Sequence, residues 1–233
     1  MRFYGLGSAV LAVSLFFGTF IVPAAAADEP KATDLIFEHK HLDNVQPGTE
    51  IKYNFNRTVT DPKVLGIPFS DTITLKVVGD KGDHQKDLEL QIYTGDRARD
   101  LQKLEKFTIN PVFAVFFAQS VNTFGQLAGG QMNYLQRVYS DGWMKSKIEP
   151  VKVDYKGNKI DAYRITMTPF VGDKYEAKMQ GWEGAKYQLT VSEAVPGEIV
   201  DMLATYHNRY PPATLKLSER TTLDGVTGLE NPE

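Results

Sequence analysis

The pair His39-x-His41 is the first feature of the chain that could do chemistry. On a strand, two histidines separated by one residue point to the same side and can chelate a metal ion. Phe37 continues the same alternating face, and two ligands make a poor site because His84 and His207 lie far away in sequence. We therefore expect no metal site and interpret the pair as part of a polar sheet edge.

Residues for nucleophilic catalysis occur without the neighbours that would activate them. The chain has no cysteine, no Gly-x-Ser-x-Gly turn and no His-Glu-x-x-His helix. Ser120 and Ser192 have no activating context, and the glycines between 125 and 130 follow a helical pattern, which indicates a helix end and not a phosphate loop. We expect no catalytic residues and no cofactor, although a pair of carboxylates that meets only in the fold stays open.

Two charged residues interrupt otherwise apolar strand faces. Arg57 lies on the apolar face of residues 51–59, and Glu219 lies on that of residues 215–223. Both side chains could reach water near the strand ends. They could also pair with each other, since a lone buried charge is costly. A third interpretation is that Arg57 binds an anionic head group at a cavity mouth.

Aromatic and methionine side chains could line an apolar pocket. A packed core uses the same residue types, so the sequence does not distinguish a filled interior from one with a cavity. The hypothetical ligand-binding residues, which the pattern directs inward, are Phe113, Phe116, Tyr163, Met179 and Trp182.

Alternation of apolar and polar residues dominates the rest of the chain and predicts about nine strands. Turn signals rich in glycine, proline and aspartate separate these runs. A strand with one apolar and one polar face is typical of an antiparallel sheet. The predicted strands lie near residues 35–42, 51–59, 72–77, 88–92, 151–155, 160–167, 187–191, 200–206 and 215–223.

A helix is predicted between the two groups of strands, over residues 111–128. Asn110 suits the N-cap, Pro111 suits the first position, and Gly129 ends the segment. Its first half is apolar on most sides and must be surrounded by protein. Further helices are predicted at 131–139 and 175–182. The fold class is therefore mainly β (α+β), a strongly curved antiparallel sheet or half-barrel of about nine strands wrapped around an apolar central helix.

The N-terminal residues have the pattern of a secretory signal peptide. Arg2 precedes an apolar run over residues 6–22, and four alanines follow at 24–27, which favours cleavage near Ala27 and a periplasmic location. A retained membrane anchor is the alternative, but about 17 apolar residues is near the lower limit for a spanning helix. We expect one domain over residues 28–233, with a loose tail from about 224.

Charge and cysteine content exclude further classes. The formal net charge is −3, so the chain has no basic footprint for nucleic acid. The absence of cysteine excludes disulfides and a lipoprotein signal, so that stability must come from packing.

The order of these elements resembles a known family. A signal peptide, antiparallel strands, a buried apolar helix and returning strands resemble the periplasmic lipoprotein-carrier (LolA-like) fold over most of residues 35–223. The stretch Tyr53-x-Phe55-x-Arg57 and the block 108–112 resemble exported proteins of α-proteobacteria. The carrier resemblance implies a hydrophobic cavity between sheet and helices that holds acyl chains.

We therefore expect a periplasmic, non-enzymatic protein that binds a hydrophobic or lipid-like ligand between sheet and helix. The alternative is a structural or interaction module of the cell envelope with a filled core and a protein partner, and a hydrolase-type enzyme is third. A pocket of several hundred Å³ beside the helix favours the binder. A filled interior favours the module, and a cleft with converging polar groups of shifted pKa favours the enzyme.

Overall fold

The computed structural model describes residues 30–210 and 215–230. The predicted signal peptide and its cleavage point lie outside these residues. Within them, no helix combines the length and the apolar character that a membrane crossing requires.

One open antiparallel sheet of ten strands forms most of the described structure. The strands are β1 (Glu50–Val59), β2 (Phe69–Gly82), β3 (Gln85–Ile92), β4 (Gln102–Phe107), β5 (Lys147–Tyr155), β6 (Asn158–Met167), β7 (Lys186–Val191), β8 (Ile199–His207), β9 (Lys216–Leu223) and β10 (Val226–Thr227). Their order is β10-β5-β6-β7-β8-β9-β1-β2-β3-β4. The pairing of β9 with β1 joins the two groups of strands, and β10 and β4 are the edges.

The alternation in the sequence accounts for the strands. In β1, Ile51, Tyr53 and Phe55 are buried, while the residues between them are exposed. β3 likewise buries every second residue. Because period-2 alternation gives one apolar face, these strands cover a core on one side. The predicted fold class, a mainly β curved sheet with few helices, is confirmed.

In the part of the chain that the structure describes, three α-helices accompany the sheet: α1 (Pro62–Leu65), α2 (Val112–Ala128) and α3 (Met132–Met144). α2 begins one residue after the predicted start, with Pro111 at the N-cap position, and the Asn110 side-chain oxygen accepts a hydrogen bond from the Val112 amide at 3.1 Å. Phe124 is fully buried and stacks on Phe170, with ring centroids 3.7 Å apart.

α2 contacts strands from both halves of the sheet. The Tyr206 hydroxyl of β8 donates to the Ser120 carbonyl at 3.1 Å, and Thr123 donates to Glu219 of β9 at 3.0 Å. Beyond β3, the Tyr93 hydroxyl donates to Gln119 at 3.1 Å. These contacts place the helix on the concave side of the sheet, at the centre of the core.

The predicted first strand at 35–42 is wrong. A π-helical turn spans Asp34–Glu38 instead, and further turns follow it. The backbone of this segment satisfies its hydrogen bonds locally, from Leu35 to the Lys31 carbonyl and from His39 to the Asp34 carbonyl. With these groups used, the segment does not join a strand ladder.

Two other predictions need correction, and one strand has no counterpart among the predictions. The helix predicted at 175–182 is only a 3-10 turn over Glu176–Lys178, because Gln180 and Gly181 have φ of +56° and +86°, which no helix contains. The strand β4 was not predicted, since only two of its six residues are apolar. The tail from 224 is not loose throughout, because β10 pairs with Tyr155 and Asp154 of β5.

Candidate functional site

A cleft of about 560 Å³ lies where the N-terminal segment meets β5–β7. Its apolar lining includes Leu35, Pro150, Tyr163 and Val191, and its polar lining includes Lys159, Ser192 and Glu193 together with His39 and Glu198. We call it the histidine cleft. A concave apolar surface with a few converging polar groups is the usual form of a small-molecule site.

The N-terminal segment brings His39 to the lining of this cleft and buries His41 next to it. His39 is partly exposed, and its Nδ1 lies 2.6 Å from Oε2 of Glu198. His41 is fully buried, and its Nε2 lies 2.7 Å from the carbonyl of Leu35. The two rings lie 5.8 Å apart between centroids, and Phe113 of α2 packs against His41 at 4.9 Å.

Glu198 reaches the histidines from the connection between β7 and β8. Two asparagines hold this connection: Asn44 donates to the Val195 carbonyl at 2.7 Å, and Asn110 donates to the Gly197 carbonyl at 2.8 Å. Gly197 has φ of +69°, and a Cβ at that position would lie 2.7 Å from Asn110 Nδ2. Only glycine fits there, so the turn that carries Glu198 is fixed in place.

Burial changes the protonation of this cluster. Loss of water lowers the pKa of His41 to about 4, so its imidazole is neutral near pH 7. Burial also raises the pKa of Glu198, and the neighbouring His39 opposes that rise. A histidine beside a carboxylate can accept a proton or hold a metal ion, and both roles use a ring nitrogen with a free lone pair.

A second apolar site lies between α2 and the strands β3 and β4. The groove has a volume of about 290 Å³ and is bounded by β3, β4 and α2. Its lining comprises Leu90, Ile92, Arg99, Gln102, Leu104, Phe107, Pro111, Ala114, Val115, Ala118, Gln119 and Asn122. We call it the α2–β4 groove.

No family model matches the chain, and no curated protein matches it either. Among solved structures, the crystal structure of the Mycobacterium tuberculosis lipoprotein LppX is similar over 79% of this chain and 90% of that chain. The two chains are 10% identical, and the TM-score is 0.29. A likeness this distant carries no functional conclusion, so function must be argued from the geometry.

The five predicted lining residues do not share one cavity. Phe113, Phe116 and Trp182 are buried at 3–5% exposure within the packed core, which matches the filled-interior interpretation of these three. Met179 is also buried and borders a separate groove beside Gly129 and Gly130.

Tyr163 was predicted to face inward, but 38% of its surface is exposed. It shares a strand face with the buried Ile165 and Met167, so the alternation was assigned correctly. Tyr163 lies beside its strand partners Pro150 and Val191 in the lining of the histidine cleft.

Arg57 and Glu219 pair with each other, which confirms the second of the three interpretations. They face each other directly across β1 and β9, and Nη1 of Arg57 contacts Oε1 of Glu219. Nη2 of Arg57 donates to the Leu65 carbonyl at 2.9 Å. Burial raises the pKa of Glu219, while the Arg57 charge opposes the rise. The Arg57 guanidinium thus already binds two acceptors of the protein itself, the same groups that an anionic head group would have to replace.

Neither Glu198 nor the α2–β4 groove was predicted from the sequence. Glu198 is 159 residues away from His39, and only the fold brings the two together. Ala114 and Ala118, spaced four residues apart on the predicted helix, were the available signal for the groove, because small residues on one helical face leave space beside it.

Proposed function

We propose that the protein binds a hydrophobic ligand with a single acyl chain in the α2–β4 groove. The observation that carries this proposal is an apolar groove of about 290 Å³ between the central helix and the sheet. Its volume lies at the lower end of the range for small-molecule sites, about 300 Å³, which suits one narrow chain better than a bulky ring system.

The shape of the groove follows from its side chains. Leu90 and Ile92 of β3 are buried, and Leu104 and Phe107 of the edge strand β4 are partly buried. On the helical side, the exposed Ala114 and Ala118 border the groove with small side chains. Small residues on one wall and apolar residues on the other leave a slot in which CH₂ groups lose their contact with water.

The exposed Arg99 gives the groove a positive charge. Its guanidinium lies 5.9 Å from the centre of the Tyr93 ring, and within residues 30–210 and 215–230 no carboxylate forms an ion pair with it. A carboxylate or phosphate at the end of the acyl chain would find there a cation without a competing partner. Hence we propose an anionic lipid, with a fatty acid as its simplest form.

Titration of a fluorescent medium-chain fatty acid, with displacement by the unlabelled acid, tests this proposal. Burial of each CH₂ contributes about 0.8 kcal/mol, so we expect saturable binding at micromolar strength or better after ordering costs. Ala118→Trp fills the groove from an exposed helical position and should abolish binding. Gln136→Trp adds the same side chain to an exposed position of α3 outside the groove and should bind like the wild type.

Arg99→Gln tests the head group separately. We expect a two- to fivefold (about 0.5–1 kcal/mol) loss of affinity for the fatty acid, the size of a solvent-exposed ion pair, and no loss for its methyl ester. Equal binding by wild type and Ala118→Trp would contradict the proposal. The filled interior around Phe113 and Phe116 would then favour the alternative, an interaction module of the cell envelope.

A further inference from the structure

We infer that His39, His41 and Glu198 bind a divalent transition-metal ion such as Zn²⁺ at the histidine cleft. One donor atom from each side chain lies within 4.8 Å of the other two. Ligands held at 2.0–2.2 Å around a tetrahedral zinc ion lie about 3.4 Å apart, so side-chain movements of about 1 Å bring the three donors into coordination range. This site is separate from the α2–β4 groove and does not depend on the function proposed there.

The hydrogen bonding of His41 prepares it as a ligand. A carbonyl oxygen can only accept, so the 2.7 Å contact with Leu35 places a proton on Nε2. In the neutral ring, the lone pair is then on Nδ1, which is buried and has no hydrogen-bond partner among the residues that the structure describes. A backbone carbonyl behind one ring nitrogen and a free lone pair on the other is the usual arrangement of a metal-binding histidine.

His39 has a carboxylate near each of its ring nitrogens. Its Nδ1 lies 2.6 Å from Oε2 of Glu198, and its Nε2 lies 3.5 Å from Oε1 of Glu193. An ion that replaces the proton between His39 and Glu198 would be bound by both groups at once. Glu193 could then accept a hydrogen bond from Nε2 and orient the ring.

The surroundings hold the donors in place before any ion binds. Glu198 has φ of +62°, a left-handed conformation that is unusual for a residue other than glycine, and the bonds from Asn44 and Asn110 keep its turn in that conformation. Phe113 covers the His41 ring on the core side. A preorganised donor set with a dry wall is what a transition-metal site requires.

The donor set indicates which ions fit and how open the site is. Two imidazoles and one carboxylate suit Zn²⁺, Ni²⁺, Cu²⁺ or Co²⁺ better than Ca²⁺ or Mg²⁺, which prefer oxygen ligands. Three protein ligands leave a fourth position of a tetrahedral ion open to water or another small ligand. Because His39 and Glu198 line the histidine cleft, that position would face the cleft.

Equilibrium dialysis of tag-free, chelator-treated full-length protein against Zn²⁺ tests the inference, with Co²⁺ absorption as a second readout. The wild type should bind one ion per chain and give the intense visible spectrum of tetrahedral Co²⁺. His39→Gln and Glu198→Gln should each weaken binding by more than about 100-fold, which exceeds the usual effect of losing a second-shell partner. His84→Gln, at a histidine that pairs with Asp43 outside the cluster, should bind like the wild type.

His39 is partly exposed, so its substitution should leave the fold intact and keep the comparison valid even if Glu198→Gln does not fold. The number of ions bound per chain is measured on the wild type, so this part of the test does not depend on the folding of any variant. Substoichiometric binding by the wild type, or equal affinity in His39→Gln and His84→Gln, would overturn the inference. Fatty-acid binding in the presence of chelator separates this outcome from the function proposed for the α2–β4 groove.

Discussion

The buried carboxylate of Glu219 connects three elements of the fold. Glu219 of β9 contacts Arg57 of β1 and accepts a hydrogen bond from Thr123 of α2. A buried carboxylate without these partners would be strongly destabilised. The pair therefore holds strands from the two halves of the sheet against the central helix.

Substitution of Arg57 by methionine should destabilise the protein in a pH-dependent way. Burial already raises the pKa of Glu219 above its ordinary value of 4.5, and loss of the Arg57 charge raises it further. As pH rises above 4.5, Glu219 loses its proton in the unfolded chain while the folded chain still keeps it, which lowers the free energy of unfolding. Because this effect is larger in the variant, the variant loses stability relative to the wild type as pH rises. We expect a deficit of about 3–5 kcal/mol near pH 8 and a smaller one near pH 4.

Urea unfolding of both proteins at several pH values measures this difference. Lys103→Met is the matched control, because Lys103 pairs with Glu89 at 4.0 Å on the surface and should contribute less than about 1 kcal/mol at any pH. A deficit of Arg57→Met that is the same at pH 4 and pH 8 would show that Glu219 does not carry the effect.

Sequence spacing identifies some of these residues but not their partners. Arg57 and Glu219 stand out because each interrupts an apolar alternation, which made their pairing predictable. His39 and His41 stand out by their spacing, but Glu198 lies in a turn with no pattern of its own. Because His39 and Glu198 are 159 residues apart and meet only in the fold, no local sequence motif predicts their contact.

At the scale of elements, α2 is the part of the core on which the strands converge. Phe124 is fully buried and stacks on Phe170, while Ser120 and Thr123 connect the helix to β8 and β9. Its burial on the sheet side follows from composition, since the large apolar side chains of a helix must pack against the rest of the protein.

Phe124→Ala should lower the free energy of unfolding by about 3–5 kcal/mol, because it removes a stacked ring from a packed interior and leaves a cavity. Val64→Ala, at an exposed position of α1, should change it by less than about 0.5 kcal/mol. Chemical denaturation followed by tryptophan fluorescence compares the two. Equal stability of Phe124→Ala and Val64→Ala would mean that α2 does not organise the core.

Predictability differs among the elements for physical reasons. Eight of the nine strands predicted from alternation overlap strands of the structure, because one buried face imposes period 2. The segment 35–42 has the composition of a strand but satisfies its backbone locally. β4 depends on its pairing with β3 and has too few apolar residues for a pattern.

At the scale of the whole molecule, the two candidate sites lie over opposite halves of one sheet. The histidine cleft is bordered by β5, β6 and β7, and the α2–β4 groove is bordered by β3 and β4 at the far edge. Strand patterns predict that such a sheet exists, but not the β9–β1 pairing that joins its halves. The positions of both sites depend on that pairing, so the sequence could not predict where they lie.

The strand β4, which borders the groove, has a neighbouring strand on one side only. This position suits the groove to admit a ligand. β4 is an edge strand of six residues, and its pairing with β3 contains a register shift between Lys86 and Leu88. Short, irregular edge strands are held by fewer hydrogen bonds than central ones and can separate from the helix at lower cost.

Native mass spectrometry of the protein, purified without detergent from the cells that produce it, tests the central claim most directly. We predict that the wild type carries one additional mass that is released on unfolding and is identified as an acyl-chain lipid. Ala118→Trp should lack this mass, and Gln136→Trp should retain it. The absence of any bound lipid in the wild type, or its retention in Ala118→Trp, would contradict a ligand site in the α2–β4 groove.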